Sequence, residues 1–529
     1  MSARPCRLFA ATVLLALGVV SSATADEPIR RGLGPEPDSL DIHRAQGLTA
    51  INLLRDLREG LLTFDAAGEP APGVASDWAV REQGRVYEFS LRPEARWSDG
   101  TPVTAGDFVR AWRRALSSES QAVMAGLMSD VRNAQAVMSG QLPATSLGVE
   151  APDSRTLVVR LVRPAPWFPE ILAHPVTYPV HPASAEPAVT ADARQAREAP
   201  VNGAYVIDEW TPRSVIRLVA NPQFHAADAV AAGRIEYYPI EEPNTELARY
   251  RAGEIDITET IPAGRYQWLV ENLAEDLRIS PYLGSFWLGL NLRDADLGDS
   301  AGLRRALALA VDRQTLVRVV LGAGERPAWG IVPPGMAGYD AARLPAAELS
   351  QAEREAEARR LYAEAGYGSE RPLRLELRYN TSGLHRRLSV AVAAMWKQVL
   401  GVHTELINEE WKVFVNNRRM GVVTQVFRGG WIADYADPAS FLDLFVSGSE
   451  LNNTFHTDAA FDGHMVAAAG LAGDERMRRL RQAEARLLET LPVIPLYYYV
   501  SRHLVRPGLG GWVDNVRDIH LSRYLTLPP

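Results

Sequence analysis

The sequence predicts an α/β protein built in more than one lobe. Short runs in which apolar and polar residues alternate, the period of a half-buried strand, are interleaved with longer runs whose apolar residues recur three or four apart, the period of a helix. No internal repeat joins them. A chain of 529 residues then calls for two or three lobes at about 100–200 residues each.

Residues 1–25 read as a secretory signal peptide. Arg4 and Arg7 give a positive start, an apolar run covers 8–20, and Ala23-Thr24-Ala25 is a small-residue cleavage site. The run is shorter than the roughly 20 residues of a membrane span. Cys6, the only cysteine, lies ahead of it, whereas lipid attachment needs one just after it. A soluble exported protein is expected. After cleavage no cysteine remains, so disulfides cannot contribute and the fold rests on its own cores. At this length it can, because large domains bury most of their chain surface.

Further along, residues 85–92 alternate as a half-buried strand, and Ser98-Asp99-Gly100-Thr101-Pro102 has turn chemistry. Thr104 caps a predicted helix through Phe108, Trp112 and Leu116. Residues 156–161 read as a strand, and the Pro-rich stretch 164–187 as a crossing between subdomains. A Glu- and Ala-rich segment at 346–365 has helical period. Residues 374–379 form a strand, 380–383 a loop, and 384–400 a long helix that stops at Gly401. The apolar, aromatic run 493–500 is the last strand.

The acidic balance, 64 Asp and Glu against 56 Lys and Arg, argues against nucleic acid or an anionic membrane as the main partner. No nucleophile elbow, H-E-x-x-H, phosphate loop or cysteine pair occurs, and the ten histidines are scattered without metal-ligand spacing. No cofactor, metal or catalytic activity is therefore expected. Ser382, His385 and Asp434 could be drawn as a triad, but nothing in the sequence places them together.

The most informative stretch is 428–442. Asp434 lies among Trp431, Ile432, Ala433 and Tyr435, and an unpaired buried carboxylate loses several kcal/mol of hydration. No Lys or His stands nearby in the run, and Arg428 is six residues upstream. Asp437, directly before Pro438, reads as a turn residue. A ligand's ammonium group is the natural partner for Asp434, which points to capture of something with a free amine, such as a peptide.

Many spaced motifs then resemble one family. Pro72-Gly73-Val74-Ala75-Ser76-Asp77-Trp78, residues 96–108 (Arg96-Trp97-Ser98-Asp99-Gly100-Thr101-Pro102 onward), Val201-Asn202-Gly203-Ala204-Tyr205, residues 249–256 and residues 308–313 look like family 5 extracellular solute-binding proteins. Residues 379–385, 408–412 and 496–500 look like the periplasmic oligopeptide-binding members, receptors of ABC transporters. The likeness spans essentially the whole mature chain, in order.

The resemblance implies the two-lobed periplasmic-binding-protein fold (type II, cluster C) with an extra inserted subdomain in the first lobe. By analogy lobe one is 26–284 plus 499–529, with the insertion at 49–172, and lobe two is 285–498. It implies a monomer in the periplasm that closes on an oligopeptide and then docks on an inner-membrane permease complex. By residue, Asp434 would bind the peptide amine, and Arg428, Arg418 and His385 its carboxylate. Trp411 and Trp431 would line side-chain pockets, with Tyr282 near the crossing, Tyr498 on the final strand and Glu36 beside the cleft. A lysine that relatives carry near Gly322 to Gly324 is absent, and Leu321 takes its place. A murein-peptide receptor of the same fold is the alternative within the family. An exported peptide hydrolase is the alternative outside it.

Overall fold

The structure is a computed structural model that describes residues 27–528 apart from 38, 46, 121, 185–192, 263 and 422–423. The leader expected at 1–25 lies outside the described residues. Among the described residues, no helix is long and apolar enough to cross a membrane.

The molecule is two-lobed and α/β. A four-stranded sheet of the first lobe runs in the order Ile29–Gly34, Arg234–Pro239, Val215–Ala220, Tyr205–Thr211. Between the first of these strands and the others in sequence lies a unit with its own sheet, Ala75–Arg81, Val86–Leu91, Thr156–Arg160, Val149–Glu150. Its core takes in Phe89, Phe108, Trp112 and Leu157. Helix Ala105–Leu116 presents Phe108 and Trp112 to that core, and its start is set by a capping box: the Thr104 amide donates to Asp107 Oδ2 at 2.9 Å.

One expectation fails here. The Pro-rich stretch is not a crossing over most of its length. Trp167, Phe168, Leu172, Val176 and Tyr178 are buried in the inserted core, which runs on to Val180. The prolines cut the chain into short turns, Phe168–Ile171 and Pro175–Thr177, and the large apolar residues between them pay for burial of those turns.

The second lobe is organised by a six-stranded sheet in the order Arg326–Pro327, Val493–Leu504, Leu277–Leu290, Val426–Ile432, Arg374–Asn380, His403–Glu409. Helix Gly383–Leu400 buries Leu388, Val392 and Trp396 against this core, and Gly401 ends it at φ 74°. The helix expected over 346–365 starts later, at Gln351, because Ser350 and Glu353 form its capping box.

The two longest strands, Leu277–Leu290 and Val493–Leu504, run antiparallel from one lobe into the other. At the first-lobe end Leu277 faces Leu504, and Ile257 bridges both Arg31 and Val505. Midway the register slips: between the pairs Pro281–Val500 and Ser285–Tyr498, three residues, Tyr282, Leu283 and Gly284, oppose Tyr499 alone. A bulge bends a strand and loosens its ladder, and this one carries Tyr282 and Leu283, which line the cleft. Gly284 is required there, since a Cβ would stand 2.4 Å from the Tyr499 ring.

Candidate functional site

A cavity of about 200 Å³ opens between the lobes. The second lobe contributes Ile432, Ala433, Asp434 and Tyr435; the crossing adds Tyr282, and Arg55, Glu259 and His520 stand on the first-lobe wall. The loop that carries Asp434 is fixed at nearly every residue. The Ala433 amide donates to Leu283 O (2.8 Å), the Asp434 amide to Ser440 Oγ (3.2 Å) and the Ala436 amide to Glu170 Oε1 (2.8 Å). The Tyr435 ring stacks on Trp167 with centroids 5.4 Å apart.

The two acids of this loop have opposite fates. Asp437 is buried and grips Arg476 with both oxygens, and Oδ1 also accepts from the Ala439 amide. Asp434 faces the cleft, and among the described residues its carboxylate has neither an ion pair nor a hydrogen bond. The concave walls still exclude enough water to raise its pKa to about 6. At neutral pH it is a mostly ionised, poorly solvated and unpaired charge. An ammonium group is the partner that such a site stabilises most.

Strand Val426–Ile432 leads to this acid. On one side it is paired along its whole length with Leu277–Leu290, from Leu290–Val426 to Gly284–Ile432. On the other, Arg374–Asn380 meets it only at Val426 and Phe427. From Arg428 to Ile432 one edge is therefore free for an added extended segment. Arg428 and Asp434 are separated by at most about 20 Å of extended chain, the reach of a short peptide.

At the other end the cations gather. Arg428 donates through Nε to Asn380 Oδ1 (2.7 Å) and lies over the rings of Trp411 (5.1 Å) and Phe414 (5.2 Å). Arg418 lies over the same Phe414 at 5.4 Å, and its buried Nε has no acceptor among the described residues. Burial, then repulsion from Arg428, pulls Arg418 down to about 10. Neither arginine has an ion pair among the described residues. Two guanidiniums that share an aromatic seat without a counterion attract an anion such as a carboxylate. His385 joins them through Nδ1 to the same Asn380 Oδ1 (2.9 Å), but burial and Arg428 push it down to about 4. It is a neutral ring at neutral pH, unlike the two arginines beside it. Trp411 is exposed beside this cluster, and Trp431 is half-buried with its indole donating to Ser440 Oγ at 3.4 Å. Tyr282 lines the cavity, where burial raises its pKa to about 12.

Two expected site residues are structural instead. Tyr498 is buried, and its hydroxyl accepts from the Gly330 amide at 3.0 Å. It helps Glu484 hold the loop through 330–342, where the Ile331, Val332 and Ala342 amides and the Tyr339 hydroxyl converge on that carboxylate. Glu36 spends both oxygens inside the first lobe, on the Trp210 indole (2.8 Å) and the Arg213 amide (3.0 Å). Leu321 is buried in the second-lobe core. The imagined triad does not assemble: Ser382 Oγ caps its helix by accepting from the His385 amide, and the His385 ring turns to Asn380. Sequence reasoning overlooked Asn380, which orients both Arg428 and His385, and Glu170, which ties the Asp434 loop to Arg517 (2.8 Å). Their partners are distant in sequence, and no local signal marks them.

Residues 69–453 match the family model described as bacterial extracellular solute-binding proteins, family 5 Middle. The chain belongs to this family. This solute-binding protein is 38% identical over 539 residues to the periplasmic oligopeptide-binding protein OppA of Salmonella typhimurium, covering 98% of each chain. Among solved structures, it superposes on the unliganded open form of the murein tripeptide binding protein MppA with a TM-score of 0.86 at 34% identity, covering 95% of this chain and 98% of that one. With Haemophilus influenzae OppA in complex with the peptide RPPGFSPFR the TM-score is 0.75 at 31% identity, over 96% and 100% of the two chains.

Proposed function

We propose that this solute-binding protein captures oligopeptides in the cleft between its lobes and delivers them to the membrane permease of an ABC transporter. The observation that carries the reading is the unpaired Asp434 carboxylate at the end of a half-free strand edge. A peptide laid along 428–432 adds a strand to the sheet, so its backbone supplies affinity whatever its side chains. Its ammonium meets Asp434, and its carboxylate meets Arg428 or Arg418 according to length. Water in the remaining space tolerates varied side chains at small cost.

Closure is a hinge motion of lobe one (26–284 with 499–529) against lobe two (285–498), absorbed at the bulge opposite Tyr499. The protein works as a monomer in the periplasm and catalyses no reaction. A second reading, murein-peptide receptor, is favoured by the close fit to open MppA. Mass spectrometry of ligands released from the purified protein tests both. A mixture of linear peptides with free N-termini supports the first, and a single species containing a murein diamino acid supports the second. Cleavage of a labelled peptide on incubation would contradict both.

A further inference from the structure

The fold brings together two of the scattered histidines at one carboxylate. His503 Nε2 lies 2.8 Å and His520 Nε2 3.2 Å from Asp518 Oδ1, and one donor atom from each residue falls within 4.8 Å of the others. We propose that His503, Asp518 and His520 form a binding site for a divalent transition metal on the first-lobe wall of the cleft. Donors about 2.1 Å from one ion stand about 3.0 Å apart at right angles and about 3.4 Å apart at the tetrahedral angle. The two separations from Asp518 are therefore close to those a bound ion needs.

The donors are also preset. His503 Nδ1 is directed at the Thr258 carbonyl oxygen, 2.9 Å away, and this outer hydrogen bond leaves Nε2 as the coordinating atom. His520 lies flat on Trp512, with centroids 3.6 Å apart and planes 15° from parallel. Asp518 is held at φ 55°, a left-handed conformation that few residues other than glycine adopt. Rings and carboxylate oriented in advance lower the ordering cost of binding.

Two imidazoles and a carboxylate suit Zn²⁺ or Ni²⁺ better than the hard cations Mg²⁺ and Ca²⁺. On binding, each Nε2 gives up the hydrogen it donates to Asp518: that of His503 leaves to solvent as a proton, and that of His520 is replaced by one on Nδ1, so the ring stays neutral. All three residues line the cavity that holds Asp434, so three protein donors leave a coordination position open to the cleft. Glu259 lines the same cavity. That an amine or imidazole of a cleft ligand takes the open position rests on the peptide reading; the site itself does not.

The experiment uses the tag-free, chelator-treated full protein and the metal alone. Calorimetry with zinc chloride should give one site of micromolar or tighter affinity. His520→Gln and Asp518→Asn should each weaken it at least tenfold, whereas His403→Gln, at the exposed first position of strand His403–Glu409, should leave it unchanged. As a check that needs no variant, Co²⁺ added to the unaltered protein should produce the visible absorption bands of a nitrogen- and oxygen-ligated ion, abolished by zinc. Equal zinc affinity in His520→Gln and the unaltered protein, or no cobalt bands, would overturn the proposal.

Discussion

At the scale of residues, the account turns on two aspartates three positions apart. Asp437 has Arg476, and Asp434 has no partner of its own among the described residues. The pKa of Asp434 is raised to about 6 from the usual carboxylate range, so the folded apo protein is penalised as pH rises from about 4 and carries the full penalty above about 6. An ammonium ligand reverses that penalty. Affinity for free-amine peptides should therefore be full above pH 6 and fall by up to tenfold per unit below it, and a titration of affinity against pH that stays flat from 7 to 5 would contradict this. In the apo protein, Asp434→Asn should be no less stable than the unaltered chain at pH 8. Arg476→Met strands the buried Asp437 carboxylate and should cost about 3–5 kcal/mol in urea unfolding, with much of the loss recovered when Asp437→Asn is added.

At the scale of elements, strand Val426–Ile432 has a paired edge, a free edge, an acid beyond one end and cations at the other. Its glycines let neighbouring rings close on the paired side: a Cβ on Gly429 would stand 2.4 Å from Trp287 Nε1. Gly429→Ala should thus lose about 1–3 kcal/mol of stability by overpacking. Arg428→Ala should shift length preference rather than abolish binding, because Arg418 shares its aromatic seat, with losses of about 2 kcal/mol for the peptides that reach it. Uniform loss across peptide lengths in a binding panel would refute that division of labour. Some elements could be read directly from local signals, such as the capped helix at Thr104 and the Gly401 stop. Leu277–Leu290 could not, because both of its faces are buried from Leu283 onward and its apolar residues run on without alternation.

At the scale of the whole molecule, the cleft is where two lobes, an inserted unit and a pair of crossing strands meet. Asp434 was legible because a charge among aromatics is conspicuous in any linear reading. The commitments of Glu36 to Trp210 and of Tyr498 to Gly330 were not, since both depend on long-range packing. The same holds for His503 and His520, which the C-terminal turn brings to Asp518. The central claim is that one unpaired carboxylate receives the amine of a peptide. It is tested most directly by calorimetry of one short peptide, with a free and an acetylated N-terminus, against the unaltered protein and Asp434→Asn. The account predicts that the substitution weakens the free-amine form at least tenfold and the acetylated form by much less. Equal losses for the two would contradict it.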